Sequence, residues 1–376
     1  MQTHATSGHS ADPGHAPAMR SLQEAITVRQ NGFNLIRLIA ALLVVVFHVW
    51  QLNVLQPNSP DPLTAWLGPD LNLGTLAVAL FFMISGLFIT QSWINDPHLL
   101  RFSLRRVMRI VPGLLVCLLL TTLLAVSFFS AAGLAGMLRA DTWHYILSNS
   151  VLHGLQLIIP PEATAISGVL QGEKLNGPLW TLYWEGRMYV MVALLGCLAW
   201  QPLRRWFAWA ALFLILSASL FPSVLNGYVW EVRLWSMFLT GMLLFTLAGS
   251  VRIGWHQVLA ALVLIVLNWS GFMALDGHGL RWFTLVLFLG LLSLKIGTQC
   301  WPGLAHLQKH DYSYAIYIYH WPVILLLRAS LPPLGPLNLL LCTLLVLIPL
   351  AMVSWHWVEA PMLRLGQGWI GKLRKP

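Results

Sequence analysis

The chain alternates long apolar runs with short polar loops. Ten runs, each near the roughly 20 residues that cross a bilayer as a helix, occur at 33–52, 74–94, 110–130, 179–200, 206–222, 231–249, 257–275, 281–297, 312–331 and 336–357. They are continuously apolar, whereas the strands of a transmembrane β-barrel alternate apolar and polar residues. The pattern therefore predicts an all-α polytopic membrane protein with about ten transmembrane helices.

The two ends of the chain differ from this apolar body. Residues 1–31 are polar, with histidines among Gly, Pro and Ser, and are predicted to form a disordered cytoplasmic tail. Residues 366–376 are predicted to be a short basic cytoplasmic tail, which leaves 32–365 as the transmembrane domain. The longest connecting segment, 131–178, is expected to form an outer cap with short helical pieces.

Composition supports a membrane protein and argues against other classes. Of the 376 residues, 57% are hydrophobic and 9% are charged, whereas a soluble domain has about 25% charged residues. The net charge of +9 would suggest a nucleic-acid partner for a soluble domain. Here the basic residues cluster in short loops, so no nucleic acid is predicted. The four scattered cysteines match neither a disulfide framework nor a metal site.

The distribution of lysine and arginine predicts the orientation. Cytoplasmic loops carry an excess of these residues, and outside segments hold little beyond Arg139 and Lys174 if the N-terminus is inside. An N-in/C-in topology with an even number of spans therefore places most basic residues in the cytoplasm: Arg20, Arg29, Arg101, Arg105, Arg106, Arg109, Arg204, Arg205, Arg252, Lys295, Lys309, Arg364, Lys372, Arg374 and Lys375.

The first apolar run contains two polar side chains that a membrane helix would normally avoid. Arg37 and His48 are eleven residues apart, close to three helical turns, so they project from nearly the same face. Ionisable groups inside a membrane helix usually face a protein interior and mark a functional site. A structural ion-pair helix is the alternative. The orientation above places Arg37 near the cytoplasm and His48 in the outer half.

Two further clusters contain candidate functional residues. Arg106 and Arg109 lie three residues apart before the third run, so both could bind one phosphate. Taken alone, they are better explained as a simple positive-inside cluster, but together with Arg37 on the same predicted side they favour a phosphate site. Glu185 lies inside the fourth run and could orient a histidine. An ion pair with Arg187 at the membrane surface is the alternative.

Residues with weaker signals accompany these clusters. Tyr317 and His320 lie on one polar face of the ninth run, where packing is the commoner explanation for such a stripe. Ser85 and Gly86 are predicted to allow close helix packing. Glu359 is expected to cap or pair locally.

Five motifs in order resemble the membrane-bound acyltransferase-3 family over residues 31–365. They are FNLIRLIAALLVVVFH, ALFFMISGLFIT, RFSLRRVMRIVP, LNGPLWTLYWEGRMY and YSYAIYIYHWPV. The resemblance implies that Arg37 and His48 are the essential pair, that Arg106 and Arg109 bind the acyl donor, and that Glu185 is the functional carboxylate. The chain departs from many members at Asn34 and at Ala79-Leu80, where those members carry acidic residues.

The resemblance also implies a reaction and its partners. A cytoplasmic acyl-CoA, in the simplest case acetyl-CoA, would donate its acyl group to a hydroxyl of a lipid-linked or cell-surface glycan. His48 would act as general base or form an acyl-imidazole, and Glu185 would hold the imidazole or the acceptor. Secondary site candidates are His320, Tyr317 and Trp180. No metal is implied, and the expected location is the bacterial inner (plasma) membrane, which the chain would cross many times.

Two other functions remain open at this point. Arg37, His48 and Glu185 could line a proton or substrate path in a transporter. Transporters usually contain internal repeats, and the two halves of this chain share no convincing repeat. The chain could also be a non-catalytic component of polysaccharide export.

Overall fold

A computed structural model describes residues 22–27, 31–55, 58–67, 72–150, 165–220, 228–250, 252–269, 280–299 and 301–374. Within these ranges the chain is helical, and its β-structure is one isolated bridge between Ser130 and Val169. The predicted all-α class is therefore confirmed for the described residues. The three N-terminal histidines, Arg20, Arg29 and Cys300 lie outside them.

Fourteen α-helices follow one another along the described chain. They are α1 (Leu22–Thr27), α2 (Phe33–Gln51), α3 (Pro62–Leu67), α4 (Leu73–Asn95), α5 (Leu99–Phe129), α6 (Ala140–Ser150), α7 (Trp180–Leu220), α8 (Val229–Thr246), α9 (Trp255–Trp269), α10 (Arg281–Gly297), α11 (Ala305–Lys309), α12 (Ser313–Ser330), α13 (Pro336–Ser354) and α14 (Ala360–Lys372). A π-helical turn, Trp355–Glu359, joins α13 to α14 without a break.

The helices reproduce most of the predicted runs and differ at three places. Helix α5 begins at Leu99, so the arginine cluster before the third run is itself helical. The runs 179–200 and 206–222 form one helical element, α7. The last run continues through the π turn to Lys372. By length and composition, four of the described helices can cross a membrane: α2, α4, α5 and the continuous stretch from α13 to α14.

Both predicted tails need correction where the structure describes them. Leu22–Thr27 is a helix rather than a disordered segment, and Leu22 is buried. The backbone N–H of Gln23 donates to the carbonyl of Ala248 at 3.2 Å, which ties α1 to the body. At the other end, residues 366–372 belong to α14, which packs along α5. The outer segment 131–178 contains short helical pieces as predicted, including 133–138 and α6.

Close helix contacts at two glycines determine how α4 and α8 cross. A Cβ atom at Gly86 would lie 2.0 Å from the carbonyl oxygen of Phe238, and one at Gly241 would lie 2.0 Å from that of Met83. Any larger side chain would force the backbones apart. Since small residues drive helix packing in a bilayer, the packing role predicted for Gly86 is confirmed.

Helix α2 lies at the centre of the site. It packs against α4, α10, α12 and α13, and its inward face, including Ala40, Ala41, Val44 and Val45, is buried. Small and β-branched side chains on that face allow the neighbouring helices to approach. Arg37 lies near one end of α2 and His48 near the other, about 16 Å apart along the helix axis.

Candidate active site

A cavity of about 620 Å³ opens at the Arg37 end of α2 and is called the arginine cavity here. Five arginines from α2, α5 and the segment after α14 line it: Arg37, Arg105, Arg106, Arg109 and Arg374. The structure thus brings together the three arginines that the sequence singled out and adds two more. Their role as donor ligands stays a prediction.

Asp311 holds two of these arginines in place. Its Oδ2 atom accepts from Nη1 of Arg37 at 3.1 Å and from Nη2 of Arg109 at 2.5 Å. Burial favours a raised pKa, but Arg109, Arg37 and the hydrogen bonds from Ser313 outweigh it, so the pKa of Asp311 is lowered. Asp311 was not among the predicted site residues, although it directly precedes the ninth run, 312–331. Its place at the predicted cytoplasmic end of that run, level with the arginines, is the signal that could have identified it.

Asp96 organises the mouth of the arginine cavity. Its carboxylate accepts from Arg101 and Arg105 at 2.7 Å each and from Arg374 at 3.2 Å. The hydrogen bond from Arg101 above all, together with those from Arg105 and Arg374, outweighs burial and holds the pKa of Asp96 well below its usual range. Three cations on one carboxylate leave an excess of positive charge at the mouth.

Arg106 is held differently from the other arginines. Its guanidinium carbon lies 5.9 Å from the ring centroid of Phe102 and 5.8 Å from that of Tyr189, and its Nη2 lies 3.5 Å from the hydroxyl of Ser92. Aromatic faces favour a cation while leaving its N–H donors available. Arg106 is therefore poised to bind an anion that enters the cavity.

A second cavity, of about 470 Å³, opens at the other end of α2 and is called the histidine cavity here because His48 lines it. Four tryptophans stand around it: Trp180, Trp230, Trp282 and Trp321. Polar side chains also reach it, namely Gln51, Asn72, Thr75, Lys174, Glu231 and Arg233. Aromatic walls with a few polar groups are typical of small-molecule sites.

His48 pairs with His320 at the edge of the histidine cavity. Nδ1 of His48 lies 2.8 Å from Nε2 of His320, and Nδ1 of His320 lies 2.5 Å from the backbone carbonyl of Tyr317. A carbonyl oxygen only accepts, so Nδ1 of His320 carries hydrogen. In neutral His320 the Nε2 atom then accepts from Nδ1–H of His48. This chain of bonds leaves Nε2 of His48 with its lone pair free to act as a base.

Glu185 has other partners than the one expected. The hydroxyls of Ser85 and Tyr189 both donate to Oε1 of Glu185, the former at 2.9 Å. Glu185 lines the arginine cavity, whereas His48 lines the histidine cavity. The expectation that Glu185 orients the imidazole is corrected, because His320 occupies that position. Ser85 also does more than allow close packing.

Arg187 and Glu359 were expected to have only local partners. Arg187 stacks on the rings of Tyr183 and Trp184, with its guanidinium carbon 4.3 and 4.9 Å from their centroids. Glu359 is buried and accepts from the hydroxyl of Ser354 at 3.0 Å, which confirms the local pairing. Its other carboxylate oxygen lies 3.7 Å from Arg109, so it also faces the arginine cluster.

The two cavities meet at three side chains. Val78, Thr181 and Tyr317 line both of them. The hydroxyl oxygens of Tyr317 and Thr181 lie 2.5 Å apart, and both hydroxyls lie within reach of the carbonyl of Pro178, at 3.0 and 3.1 Å. These side chains stand between the two cavities, and this place is called the junction here.

A proline explains why the loop before α7 folds onto α12. Pro322 has no N–H, so the carbonyl of Ile318, four residues earlier, loses its helical donor. Asn176 Nδ2 donates to this carbonyl at 2.9 Å, and the thiol of Cys117 approaches it at 3.3 Å. Trp321 in turn donates from Nε1 to the carbonyl of Lys174 at 2.8 Å. These bonds hold the loop as one wall of the histidine cavity.

The fold and the two cavities define a class: a helical membrane protein in which an arginine-lined cavity and a histidine-lined cavity adjoin inside the helix bundle. Comparison with known proteins identifies the family. The acyltransferase domain of the acyltransferase-3 family matches residues 30–356, and the chain belongs to that family. It is therefore an acyltransferase that transfers groups other than aminoacyl groups.

Two relatives of known name cover most of this chain. An O-acetyl transferase of Shigella phage Sf6 is 26% identical over 338 residues, which are 88% of this chain and 95% of that protein. Nodulation protein 10 of Rhizobium leguminosarum bv. viciae is 26% identical over 361 residues, 89% of this chain and 94% of that protein. No solved structure matches the chain.

Proposed function

We propose that the chain is an integral membrane O-acyltransferase that moves an acyl group, in the simplest case acetyl, from a cytoplasmic acyl-CoA to a hydroxyl of a cell-surface or lipid-linked glycan. The observation that carries the proposal is the meeting of the two cavities at Val78, Thr181 and Tyr317. One cavity has the charge for a nucleotide donor, and the other has the histidine base. The acyl group alone has to pass from one to the other.

The charge of the arginine cavity suits coenzyme A. Five arginines and one carboxylate, Glu185, line it. Asp96, Asp311 and Glu359 pair with four of these arginines, and Arg106 has no carboxylate partner among the described ion pairs. The pyrophosphate and 3′-phosphate of coenzyme A together carry roughly four negative charges near neutral pH. Guanidinium groups bind phosphates through paired hydrogen bonds. The apolar side chains deeper in the cavity, such as Phe81 and Phe88, suit the pantetheine arm that carries the thioester.

The walls of the histidine cavity suit a sugar. Tryptophan faces pack against the C–H faces of sugar rings, and the neighbouring polar side chains can bind hydroxyls. The exposed ring of Trp180, at the start of α7, is well placed for such stacking, which supports its status as a secondary candidate. The acceptor hydroxyl would lie beside Nε2 of His48.

The reaction then needs one base and no covalent intermediate. Nε2 of His48 removes the hydroxyl proton of the acceptor while the acceptor oxygen attacks the thioester carbonyl carbon. The carbon–sulfur bond breaks, and the imidazolium returns its proton to the departing thiolate. His320 takes over the orienting role assigned earlier to Glu185, because it fixes the tautomer of His48.

We further infer the N-in/C-in arrangement with ten crossings in the bacterial inner membrane. Ten crossings require α7 to bend. A straight helix of its 41 residues would be about 60 Å long. Yet Trp180 at its start and Glu231 in α8 line one cavity, and at most about 30 Å of chain joins Leu220 to Val229.

The test is acyl transfer by purified protein in lipid nanodiscs, supplied with labelled acetyl-CoA and glycan isolated from the host surface. His48→Ala is expected to lower the rate by about 10²–10⁴-fold, the usual contribution of a general base. His144→Ala is the matched control, since His144 lies in α6 and lines neither cavity. Normal transfer by the His48 variant would refute the assignment. Failure of the unmodified protein to transfer would favour a transporter or an export component.

A further inference from the structure

The C-terminal helix forms one wall of the arginine cavity. Six residues of this segment line it, and their spacing of three or four residues places them on one helical face: Leu363, Gly366, Gln367, Ile370, Gly371 and Arg374. The segment 366–376 was predicted to be a tail outside the transmembrane domain. The structure instead places five residues of this segment on the wall of the arginine cavity.

Two contacts hold this helix against the neighbouring part of the protein, one with Met108 of α5 and one with Asp96. A Cβ atom at Gly366 would lie 2.8 Å from Cγ of Met108 in α5, so glycine allows the two helices to touch. Two residues past the end of α14, Nη2 of Arg374 lies 3.2 Å from Oδ2 of Asp96. Asp96 also holds Arg105, so the two arginines stand side by side at the cavity mouth.

Arg374 is the outermost of the arginines whose ion pairs are described. Its side chain is 59% exposed, against 21% for Arg105, 23% for Arg37 and 17% for Arg109. The junction with the histidine cavity lies at the opposite end, at Thr181 and Tyr317. A donor with its thioester at the junction must therefore have its adenosine end at the mouth.

We propose that Arg374, together with Arg105, binds the 3′-phosphate on the adenosine end of coenzyme A, and that α14 is a wall of the donor site. This inference rests on the proposed function. Asp96 keeps both guanidinium groups oriented until the donor arrives. Asp96 is one carboxylate shared by three arginines, Arg101, Arg105 and Arg374, so it balances only one of their three charges. A phosphate with up to two negative charges can therefore bind the remaining N–H groups of Arg105 and Arg374.

The experiment compares coenzyme A with 3′-dephospho-coenzyme A, by calorimetric binding to the full chain in nanodiscs. Arg374→Ala is expected to weaken coenzyme A binding by about ten- to a hundredfold and to leave binding of the dephospho ligand within about twofold. Removing the 3′-phosphate from the ligand should cost the unmodified protein a similar factor. The two losses should not add, because they remove one interaction.

Two controls separate charge from folding. Arg364→Ala removes an arginine of α14 that bonds only to the carbonyl of Ala360 in the described contacts and lines neither cavity, so it should bind both ligands normally. Arg374→Lys keeps the charge and should recover part of the lost affinity.

Three outcomes would overturn the inference. Unchanged coenzyme A binding in Arg374→Ala would remove Arg374 from the donor site. Equal losses for both ligands would show that the 3′-phosphate is not its partner. If the unmodified protein binds neither ligand, the proposed donor fails, and the role of Arg374 fails with it. In the first two cases the proposed acyltransferase reaction is unaffected.

Discussion

Replacing His320 with alanine tests the hydrogen-bond chain that prepares His48. In the structure the carbonyl of Tyr317 fixes the proton on Nδ1 of His320, and Nε2 of His320 accepts from Nδ1–H of His48. Without His320, Nδ1–H of His48 loses its histidine acceptor, and the backbone of Val44 is the hydrogen-bond partner that the ring keeps. The proton can then move to Nε2, the atom that must be unprotonated to take a proton from the hydroxyl of the acceptor glycan.

The size of the effect follows from the one bond that is lost. His320 is fully buried, so water does not readily replace it. The loss of one such hydrogen bond costs about 0.5–1.5 kcal/mol, which corresponds to a loss of about 2- to 13-fold in the productive tautomer. The turnover number kcat should fall by this factor. KM for acyl-CoA should stay the same, because His320 lies away from the arginine cavity.

A conservative variant separates this role from simple packing. In His320→Gln the side-chain oxygen can reach about the position of Nε2 and accept from His48, so activity should partly return. The assay is steady-state acyl transfer with both substrates varied, with thermal unfolding of each variant as a check on folding. If His320→Ala keeps full kcat while folded, or if His320→Gln is no better than His320→Ala, the positioning role is refuted.

Three further substitutions test the fold and the acceptor cavity. Asn176→Ala removes the amide donor to the carbonyl of Ile318, which Pro322 already deprives of its helical donor. The variant should be less stable by about 1–3 kcal/mol, seen as a lower Tm. Gly86→Ala places a Cβ 2.0 Å from a backbone oxygen and should lower Tm markedly, whereas Gly335→Ala, which meets open space, should not. Trp180→Ala should weaken glycan binding while coenzyme A still binds normally, and the exposed Trp66 is the control; equal loss in both would contradict the stacking role.

The helices were largely predictable because their signal is local. A run of apolar residues of bilayer length determines that a helix forms, whatever its neighbours are. The ends were harder to predict because polar residues can extend a helix beyond the apolar layer. Helix α5 continues through the arginine cluster to Leu99, and α13 continues through Glu359 into α14. Neither extension changes the apolar pattern, so hydropathy alone does not detect it.

The site was predictable only in part because side-chain partners depend on packing between distant segments. The sequence indicated Arg37, His48, Arg106 and Arg109 as polar residues with a shared face or side. It did not indicate that His48 meets His320, since 272 residues separate them. Glu185 was the natural partner by chemistry, because carboxylates orient imidazoles elsewhere. The packing of α7 beside α4 places Glu185 in the arginine cavity instead. There its Oε1 atom accepts hydrogen bonds from the hydroxyls of Ser85 and Tyr189.

The placement of the cavities explains how one helix can serve both substrates without carrying either across the membrane. Arg37 and His48 are about 16 Å apart along α2, a span that an extended phosphopantetheine arm can cover. The phosphates can therefore stay among the arginines while the thioester reaches the junction. In the proposed orientation, the basic residues that would keep this side of the chain in the cytoplasm would also attract the proposed acyl-CoA donor. In the proposed reaction, transfer at the junction would then move only the acyl group outward.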